Sequence, residues 1–285
     1  METDARTKKR TINEVRRMKS LGEKIVVMTA YDYPMASLVE EAGVEVIFVG
    51  GSLGMVVLGY ENTIPVTMED ILHHLKAVVR GARRALIVAP LPFGSYHVSN
   101  EQAIANAIRL MQAGADSAKT QGAGLTVERV RAITAANIPC VGHAGLTPQF
   151  IAKLGGHRAV GKTAEEARAI YDDCLALQDA GAWAIELECV PAALGKVICE
   201  KLSIPVISTG SGVDCDGQLL NLYDALGLYR RFKPRFAKQY VNLWEIALEH
   251  LRAYTGEVKG KAFPDDAHSI GMPEDELEKF LKTLP

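Results

Sequence analysis

The amino-acid sequence predicts a (β/α)8 barrel. Short runs rich in Val, Ile and Ala alternate with longer helical patterns about eight times along the 285 residues. The apolar runs are nearly continuous, which is typical of parallel strands buried on both faces. Several helical patterns end in Gly, a common residue at helix ends, and the next apolar run then begins at once. These observations favour a closed barrel, with an open doubly wound sheet as the alternative.

Eight segments are predicted strands, and the last has the weakest apolar pattern. They are Lys24–Thr29, Val44–Val49, Ala85–Ala89, Asp116–Thr120, Ile138–Gly142, Trp183–Glu188, Ile204–Ser208 and Leu220–Ala225.

Helical patterns fill the intervals. Thr67 is a suitable N-cap for a helix that runs to Ala82, and Asp70 at its N3 position would suit the positive helix end. The other predicted helices between strands are Ser99–Ala113, Thr126–Asn137, Thr163–Ala180 and Val190–Leu202.

No linker or charge block marks a second domain, so the prediction is one domain over residues 1–285. Its amphipathic first helix, with Ile12, Val15, Met18 and Leu21 on one face, is expected to cap the barrel. Phe236–Tyr254 is predicted as one long amphipathic helix that opens a C-terminal helical tail.

Bulk properties exclude several classes of function. The net charge is −2 and basic runs are short, so no nucleic-acid partner is expected. No apolar run approaches the ~20 residues that cross a bilayer, so no membrane partner is expected. Residues 1–20 lack the apolar core of a secretory signal, and the five cysteines are scattered singly. A reduced, cytoplasmic protein is therefore predicted.

Polar residues cluster at the ends of the predicted strands, where barrels carry their active sites. If Lys119, His143 and Glu188 point inward, they converge on one mouth. A carboxylate and a cation there suit proton abstraction next to a carbonyl, because the cation stabilises the oxyanion that develops. The alternatives to a catalytic role are that Lys119 is a solvated residue at the barrel rim and that His143 is a hydrogen-bonded packing residue.

Three further groups have open roles. Glu186 shares a strand face with Glu188, so it either pairs with Lys119 or another cation, or faces outward if the register slips by one residue. Gly210-Ser211-Gly212 could bind an anion through backbone amides or form a plain turn. His97 is taken as a surface-loop histidine.

Short motifs follow one another along residues 11–270. They are Thr29–Tyr33, Ser52–Met55, Thr63–Thr67, Leu91–Phe93, Lys119, Gly142–Gln149, Leu187–Pro191, Asp216–Gln218, Phe263–Pro264 and His268–Ser269. Together and in this order they are specific. Over nearly its whole length the chain resembles the ketopantoate hydroxymethyltransferase family.

The resemblance implies a barrel of the phosphoenolpyruvate mutase/isocitrate lyase type and a homo-oligomer, a decamer in the family. It implies transfer of a hydroxymethyl group from methylenetetrahydrofolate to the 2-keto acid 3-methyl-2-oxobutanoate. Glu188 would be the base that takes the C3 proton. Lys119 and Ser52 would contact the keto acid, His143 would lie near the reacting centre, and Tyr31 would line the substrate site.

Three positions depart from the family. Where the family holds magnesium with two Asp and one Glu, this chain has Gly51, Pro90 and Gln121. Gly and Pro carry no side-chain ligand, and an amide oxygen is a poor replacement for a carboxylate. Magnesium is therefore expected to be absent, and these positions are expected to line the substrate site instead.

Three interpretations follow. The first is a hydroxymethyltransferase that forms the C–C bond without metal or on a specialised substrate. The second is a metal-free aldolase, lyase or dehydratase acting on a keto acid, in which Lys119 forms a Schiff base. The third is a catalytically silent homologue that acts as a binding partner. The first is preferred.

Overall fold

A closed barrel of eight parallel strands forms the centre of the computed structural model, which describes residues 8–154, 156 and 158–285. Each strand pairs with the next in sequence order, and β8 pairs with β1. The strands are β1 Ile25–Thr29, β2 Val46–Phe48, β3 Leu86–Pro90, β4 Ser117–Lys119, β5 Cys140–Gly145, β6 Ala184–Glu188, β7 Val206–Thr209 and β8 Gly217–Leu220. The predicted barrel is confirmed, and the open sheet is wrong. The part of the predicted domain that falls on residues 1–7 lies outside the described residues.

Helices surround the barrel and extend beyond it. They are α1 Ile12–Leu21, α2 Tyr33–Glu41, α3 Leu53–Val56, α4 Met68–Gly81, α5 Asn100–Gln112, α6 Leu125–Ala135, α7 Ile151–Leu154, α8 Ala164–Asp179, α9 Ala192–Lys201, α10 Leu222–Leu226, α11 Leu243–Lys259 and α12 Glu274–Leu281. Short 3₁₀ turns occupy Pro148–Phe150 and Asp266–His268.

Side-chain caps set where several helices begin. The Thr67 hydroxyl accepts a hydrogen bond from the Asp70 amide at 3.1 Å, and the Asp70 carboxylate accepts one from the Thr67 amide at 2.9 Å. This reciprocal pair confirms the predicted start of α4. Ser99 and Thr163 are N-caps of α5 and α8, so those helices begin one residue later than predicted.

Two predicted elements are misplaced. The last strand is Gly217–Leu220 instead of Leu220–Ala225, because the Asn221 side chain accepts a hydrogen bond from the Tyr223 amide and begins α10. Strand β8 starts on Gly217, where any Cβ would lie 2.6 Å from the Ile25 carbonyl oxygen. Its only other apolar residues are two leucines, so its pattern is short and easily missed.

The long C-terminal helix begins at Leu243 and ends at Lys259, instead of spanning Phe236–Tyr254. Before it, the Phe236 ring packs against Gly210, where a Cβ would lie 2.6 Å from that ring. Ala237 is buried as well. Tertiary contacts of this segment therefore override its helical periodicity.

Apolar side chains fill the amino-terminal end of the barrel. Val15 and Met18 of α1 pack with Ile25 and Val27 of β1 and with residues from the other strands. Helix α1 therefore covers this end of the barrel. Burying a side chain of this size contributes about 1.5 to 3 kcal/mol. The polar residues are thus concentrated at the opposite end, where the strands finish.

The C-terminal tail makes few contacts with the barrel. No residue of α11 or α12 is buried, and apolar side chains such as Leu251 and Phe280 are at least half exposed. The homo-oligomer, the decamer and the single-domain organisation stay predictions. Within the described ranges, no helix combines the length and apolar character needed to traverse a bilayer.

Candidate active site

Four ionisable side chains meet inside the carboxyl end of the barrel. Lys119 of β4 places its Nζ 2.7 Å from Oε2 of Glu186 on β6. His143 of β5 lies between the two β6 carboxylates, with Nδ1 3.4 Å from Glu186 Oε2 and Nε2 3.4 Å from Glu188 Oε2. We call these four residues the polar cluster. It brings together all three predicted catalytic residues and Glu186, which faces inward.

Strand register explains this convergence. His143 pairs with Glu186, and Gly145 pairs with Glu188, so alternate residues of β5 and β6 point to the same interior face. Glu186 is the deeper carboxylate, and its other oxygen accepts a hydrogen bond from the Thr209 hydroxyl at 2.9 Å. Glu186 is therefore fixed from two sides by Lys119 and Thr209.

Glu188 is the most accessible member of the polar cluster. Its side chain is 14% exposed, against 7% for Lys119, 5% for Glu186 and 1% for His143. A substrate that enters from the carboxyl end of the barrel would reach Glu188 first. This position suits a group that exchanges a proton with a bound molecule.

The backbone around Glu188 is constrained. Gly145 has φ +88°, and a Cβ there would lie 2.2 Å from the Glu188 carbonyl oxygen. On the other side, Cys189 adopts φ 52°, which non-glycine residues seldom do. Such strained conformations occur where the surrounding structure holds a residue in a required place.

The two carboxylates have opposite protonation behaviour. Burial raises the pKa of Glu188 well above its usual range, and the negative charge of Glu186 raises it further, whereas Lys119 opposes the shift. Burial also acts to raise the pKa of Glu186, but the charges of Lys119 and His143 hold it well below its usual range. Glu186 is therefore the carboxyl of the pair that favours the anion, and Glu188 is the one that holds a proton more readily.

His143 is held by the backbone. Its Nε2 lies 2.7 Å from the Leu146 carbonyl oxygen, which can only accept, so Nε2 carries a proton. Nδ1 has no hydrogen-bond partner among the described residues, although it faces Glu186. A second proton on Nδ1 would thus be directed at a carboxylate.

A neutral polar group lies at the ends of β1, β2 and β8. The Tyr31 hydroxyl is 2.7 Å from the Ser52 hydroxyl, and Asn221 Nδ2 donates to Tyr31 at 3.0 Å and to Ser52 at 3.3 Å. Burial raises the pKa of Tyr31 to about 12, so this group carries no charge. Ser52 and Asn221 are half-buried, whereas Tyr31 is buried, so a ligand can contact the first two.

At the three positions where the resemblance places magnesium ligands, the side chains present do not fit the ion. Gly51 and Pro90 have no side-chain donor atom, and Pro90 ends β3 beside Lys119. The Gln121 Oε1 atom accepts a hydrogen bond from the Gln149 amide at 3.0 Å. The one ligand-capable oxygen of the three is therefore engaged in holding the next loop.

A second possible metal-binding set lies within the polar cluster. His143, Glu186 and Glu188 offer ligand atoms within 4.8 Å of one another. However, the Lys119 ammonium is already bound to Glu186, and His143 uses Nε2 to hold Leu146. Lys119 would repel a divalent ion at Glu186, and its ammonium is already the cation that this carboxylate binds.

Ser211 and His97 lie away from the polar cluster contacts. The Ser211 hydroxyl donates to the Leu187 carbonyl at 2.7 Å and accepts from the Val190 amide at 3.3 Å, so it supports the turn that follows Glu188. Its predicted role in substrate binding stays a prediction. His97 belongs to the loop after β3, where its Nδ1 accepts from the Gly94 amide.

Three contacting residues were not predicted from the sequence: Thr209, Asn221 and Gln149. Thr209 ends β7 and Asn221 follows β8, but a hydroxyl or an amide at a strand end is too common to mark a site. Gln149 donates from its side chain to the Leu91 carbonyl at 2.9 Å and accepts from the Tyr96 hydroxyl at 2.7 Å. No local pattern indicates that network, because its members lie up to 58 residues apart.

Known proteins resemble this chain over most of its length. A family model described as ketopantoate hydroxymethyltransferase matches residues 9–266. A 3-methyl-2-oxobutanoate hydroxymethyltransferase from Carboxydothermus hydrogenoformans is 50% identical, and the match covers 95% of this chain and 98% of that protein. The protein of the same name from Syntrophus aciditrophicus is 49% identical, with 95% and 100% covered.

Solved structures with the same fold are more distant. Phosphonopyruvate hydrolase, in a complex with oxalate and Mg²⁺, has a TM-score of 0.59 at 14% identity, and 96% of each chain is covered. A 2,3-dimethylmalate lyase, a member of the phosphoenolpyruvate mutase/isocitrate lyase superfamily, has a TM-score of 0.57 at 13% identity, with 95% and 98% covered. These likenesses confirm the predicted barrel type. The family model and the curated relatives show that the chain is a transferase-type enzyme that belongs to the ketopantoate hydroxymethyltransferase family.

Proposed function

We propose that this enzyme transfers a hydroxymethyl group to 3-methyl-2-oxobutanoate, or to a closely related 2-keto acid, without a bound metal. The observation that carries the proposal is the polar cluster, in which an accessible carboxyl, Glu188, lies beside a buried cation, Lys119. Relatives about 50% identical bear the name of this reaction. The name of these relatives supports the substrate class, and Gly51, Pro90 and Gln121 offer no carboxylate to hold a metal.

Glu188 acts as the general base. In its ionised form it takes the proton from C3 of the keto acid, and the electron pair of that bond forms the enolate. Its raised pKa makes the ionised form a stronger base than an ordinary carboxylate. The Ser52 hydroxyl, held by Tyr31 and Asn221, binds the acid end of the substrate.

Lys119 stabilises the enolate oxygen. Its ammonium is 7% exposed, so its charge acts in a region from which water is largely excluded. Glu186 holds the ammonium in place but does not use all of its hydrogen-bond donors, because an ammonium has three N–H groups. A metal that acts as a Lewis acid contributes several kcal/mol of transition-state stabilisation in related reactions. A buried cation at the same oxygen supplies part of that stabilisation.

The enolate carbon then forms the C–C bond with a carbon at the oxidation level of formaldehyde. Hydrolysis of methylenetetrahydrofolate supplies that carbon as formaldehyde and leaves tetrahydrofolate. Attack on formaldehyde produces an alkoxide, and Glu188 returns to it the proton taken from C3. Keto acid and formaldehyde are thus combined with no net loss of atoms or protons.

The two alternatives have less support. A Schiff base at Lys119 needs a free amine, whereas Lys119 is bound to Glu186 at 2.7 Å. A silent barrel has no use for a buried carboxyl such as Glu188, whose desolvation is costly. A silent barrel predicts no proton exchange, and a Schiff base predicts an adduct on Lys119 that borohydride traps, whereas the proposed mechanism predicts exchange without such an adduct.

Proton exchange at C3 tests the proposed function. The wild-type protein in D₂O, treated with EDTA, is expected to replace the C3 proton of 3-methyl-2-oxobutanoate by deuterium, which proton NMR detects. Added Mg²⁺ is expected to leave the rate within about twofold, because no carboxylate is available to hold the ion. Exchange that disappears with EDTA and returns with Mg²⁺ would refute the metal-free mechanism.

The pH dependence of C3 proton exchange tests whether the charge of Glu186 raises the pKa of Glu188. Replacing Glu186 by Gln removes a negative charge that raises the pKa of Glu188, so that pKa falls. More Glu188 is then ionised at a given acidic pH, and the acidic limb of the exchange profile moves to lower pH. The exposed Glu200→Gln variant is the control and should not move the limb. A limb that stays in place, or moves to higher pH, contradicts this arrangement.

A further inference from the structure

The hydroxyl of Ser52 lies at the end of a directed chain of hydrogen bonds. Tyr31, Ser52 and Asn221 contact one another at the carboxyl end of the barrel, and none of them carries a charge. We call these three residues the neutral group. Every hydrogen bond has one donor and one acceptor, so the chemistry of the side chains assigns the direction of each bond in the neutral group.

The orientation of the Asn221 amide is fixed by the helix that it begins. Its Oδ1 accepts a hydrogen bond from the Tyr223 backbone amide at 2.9 Å, at the start of α10. A backbone N–H can only donate, so the oxygen and the nitrogen of the Asn221 side chain are not interchangeable. The next backbone amide, that of Leu222, donates to the Thr29 hydroxyl at 3.1 Å and ties α10 to the end of β1. Nδ2 of Asn221 is therefore held against the two hydroxyls of the neutral group.

Both N–H bonds of that nitrogen are used inside the neutral group. One donates to the Tyr31 oxygen at 3.0 Å and the other to the Ser52 oxygen at 3.3 Å. Tyr31 and Ser52 also share a hydrogen bond of 2.7 Å, in which the phenol is the donor because it is the more acidic hydroxyl. The Ser52 oxygen thus accepts two hydrogen bonds, and its own proton is left for an acceptor outside the neutral group.

The surroundings of Ser52 leave that proton available to a bound molecule. Ser52 occupies the N-cap position of α3, but its side chain makes no capping hydrogen bond. Its side chain is half-buried, whereas Tyr31 is fully buried. Gly50 leaves room for the hydroxyl, because a Cβ at that position would lie 3.1 Å from the Ser52 oxygen. The site therefore holds a fixed donor that a ligand can reach.

The neutral group and the polar cluster face the same barrel mouth. The ring of Phe48, the last residue of β2, lies with its centroid 5.8 Å from Lys119 Nζ, and Ser52 is in the loop that follows the same strand. A 2-keto acid carries its carboxylate on the carbon next to the keto carbon. A keto acid whose keto oxygen is bound at Lys119 can thus present its carboxylate to the end of β2.

We propose that Asn221 is a positioning residue for carboxylate recognition, and that it acts through Ser52. By donating to both hydroxyls, Asn221 leaves the Ser52 hydroxyl able only to donate. A carboxylate can only accept, so it requires a hydroxyl whose proton is not already committed to another oxygen. The inference rests on the proposed function, in which Ser52 binds the acid end of the keto acid, and it gives Asn221 a role in how tightly that end is bound.

Two substitutions at Asn221 test this role, with C3 proton exchange followed by proton NMR as the assay. Asn221→Ser keeps an oxygen that caps α10 but removes both donors, so the Ser52 proton is no longer directed outward. The KM for 3-methyl-2-oxobutanoate should rise about three- to tenfold, while kcat stays within about threefold. Asn221→Asp keeps the shape and the cap but replaces the donor by a charged acceptor, and should raise the KM about thirtyfold or more.

The matched control is Asn242→Ser. It makes the same substitution at the exposed N-cap position of α11, where Asn242 forms no capping hydrogen bond, and it should leave KM and kcat unchanged. An unchanged KM in both Asn221 variants would overturn the inference. So would a loss of kcat without a rise in KM, because that result would indicate a general distortion of the site.

A double-mutant cycle shows whether Asn221 acts through Ser52. Ser52→Ala removes the hydroxyl and should raise the KM for the keto acid about tenfold. Adding Asn221→Ser to that variant should raise the KM by less than about twofold more, because no hydroxyl remains to be oriented. Effects of the two substitutions that simply multiply would overturn the inference.

Calorimetric titration with 3-methyl-2-oxobutanoate separates this inference from the proposed function. The dissociation constants of the wild type and the variants should follow the same pattern as the KM values. A wild type that binds the keto acid with this pattern but exchanges no C3 proton overturns the proposed function alone. A wild type that exchanges the proton with a KM independent of Asn221 overturns the inference alone, and one that neither binds nor exchanges overturns both.

Discussion

The Glu188→Gln variant is expected to lose proton exchange at C3 of 3-methyl-2-oxobutanoate, by about 10²- to 10⁴-fold, the usual contribution of a general base. Gln has nearly the shape of the protonated carboxyl but cannot take a proton. Because Lys119 is already paired with Glu186, the amide at position 188 leaves no buried cation without a partner. The barrel should therefore remain folded.

Proton NMR in D₂O measures this loss, and thermal unfolding of the same sample checks the fold. Glu200→Gln, on the exposed face of α9, is the matched control and should exchange at the wild-type rate. If Glu188→Gln retained exchange within about tenfold of wild type, the base would have to be another group. His143, 3.4 Å away, would then be the next residue to replace.

Replacing Lys119 by Met is expected to affect both stability and rate. It leaves Glu186 as a buried anion with only Thr209 and His143 beside it. Removing one partner of a buried ion pair costs about 3 to 5 kcal/mol of unfolding free energy. It also removes the cation that stabilises the enolate, so exchange should fall about 10²- to 10³-fold.

A double variant separates these two effects. Lys119→Met combined with Glu186→Gln removes both charges, so denaturant unfolding should show most of the lost stability restored. Exchange should stay low, because the cation is still missing. Recovery of the exchange rate together with stability would mean that Lys119 has only a structural role, and the proposed mechanism would fail.

The fold was largely predictable because parallel strands in a barrel are buried on both faces and separated by helices of similar length. Seven strands were located by their apolar runs. Strand β8 was misplaced because it starts on Gly217, where the close approach of the Ile25 backbone requires a residue without a side chain. The start of α11 was misplaced because Phe236 packs on Gly210 instead of continuing a helix.

The candidate site was predictable in part. Lys119, His143 and Glu188 were selected because they follow apolar runs, and every such strand end in this fold meets at one mouth. Thr209 and Asn221 follow apolar runs too, but a hydroxyl or an amide at a strand end is common and carries no chemical signal of its own.

Residue types alone show which ionisable groups stand at the strand ends and which positions lack a carboxylate: Gly51, Pro90 and Gln121 have no ionisable oxygen in any conformation. That Glu186 pairs with Lys119 while Glu188 stays open to the mouth follows from the folded barrel. Local pattern identifies the inward face of a strand, but distances between side chains on different strands depend on the register of the closed barrel, to which residues far apart in the chain all contribute.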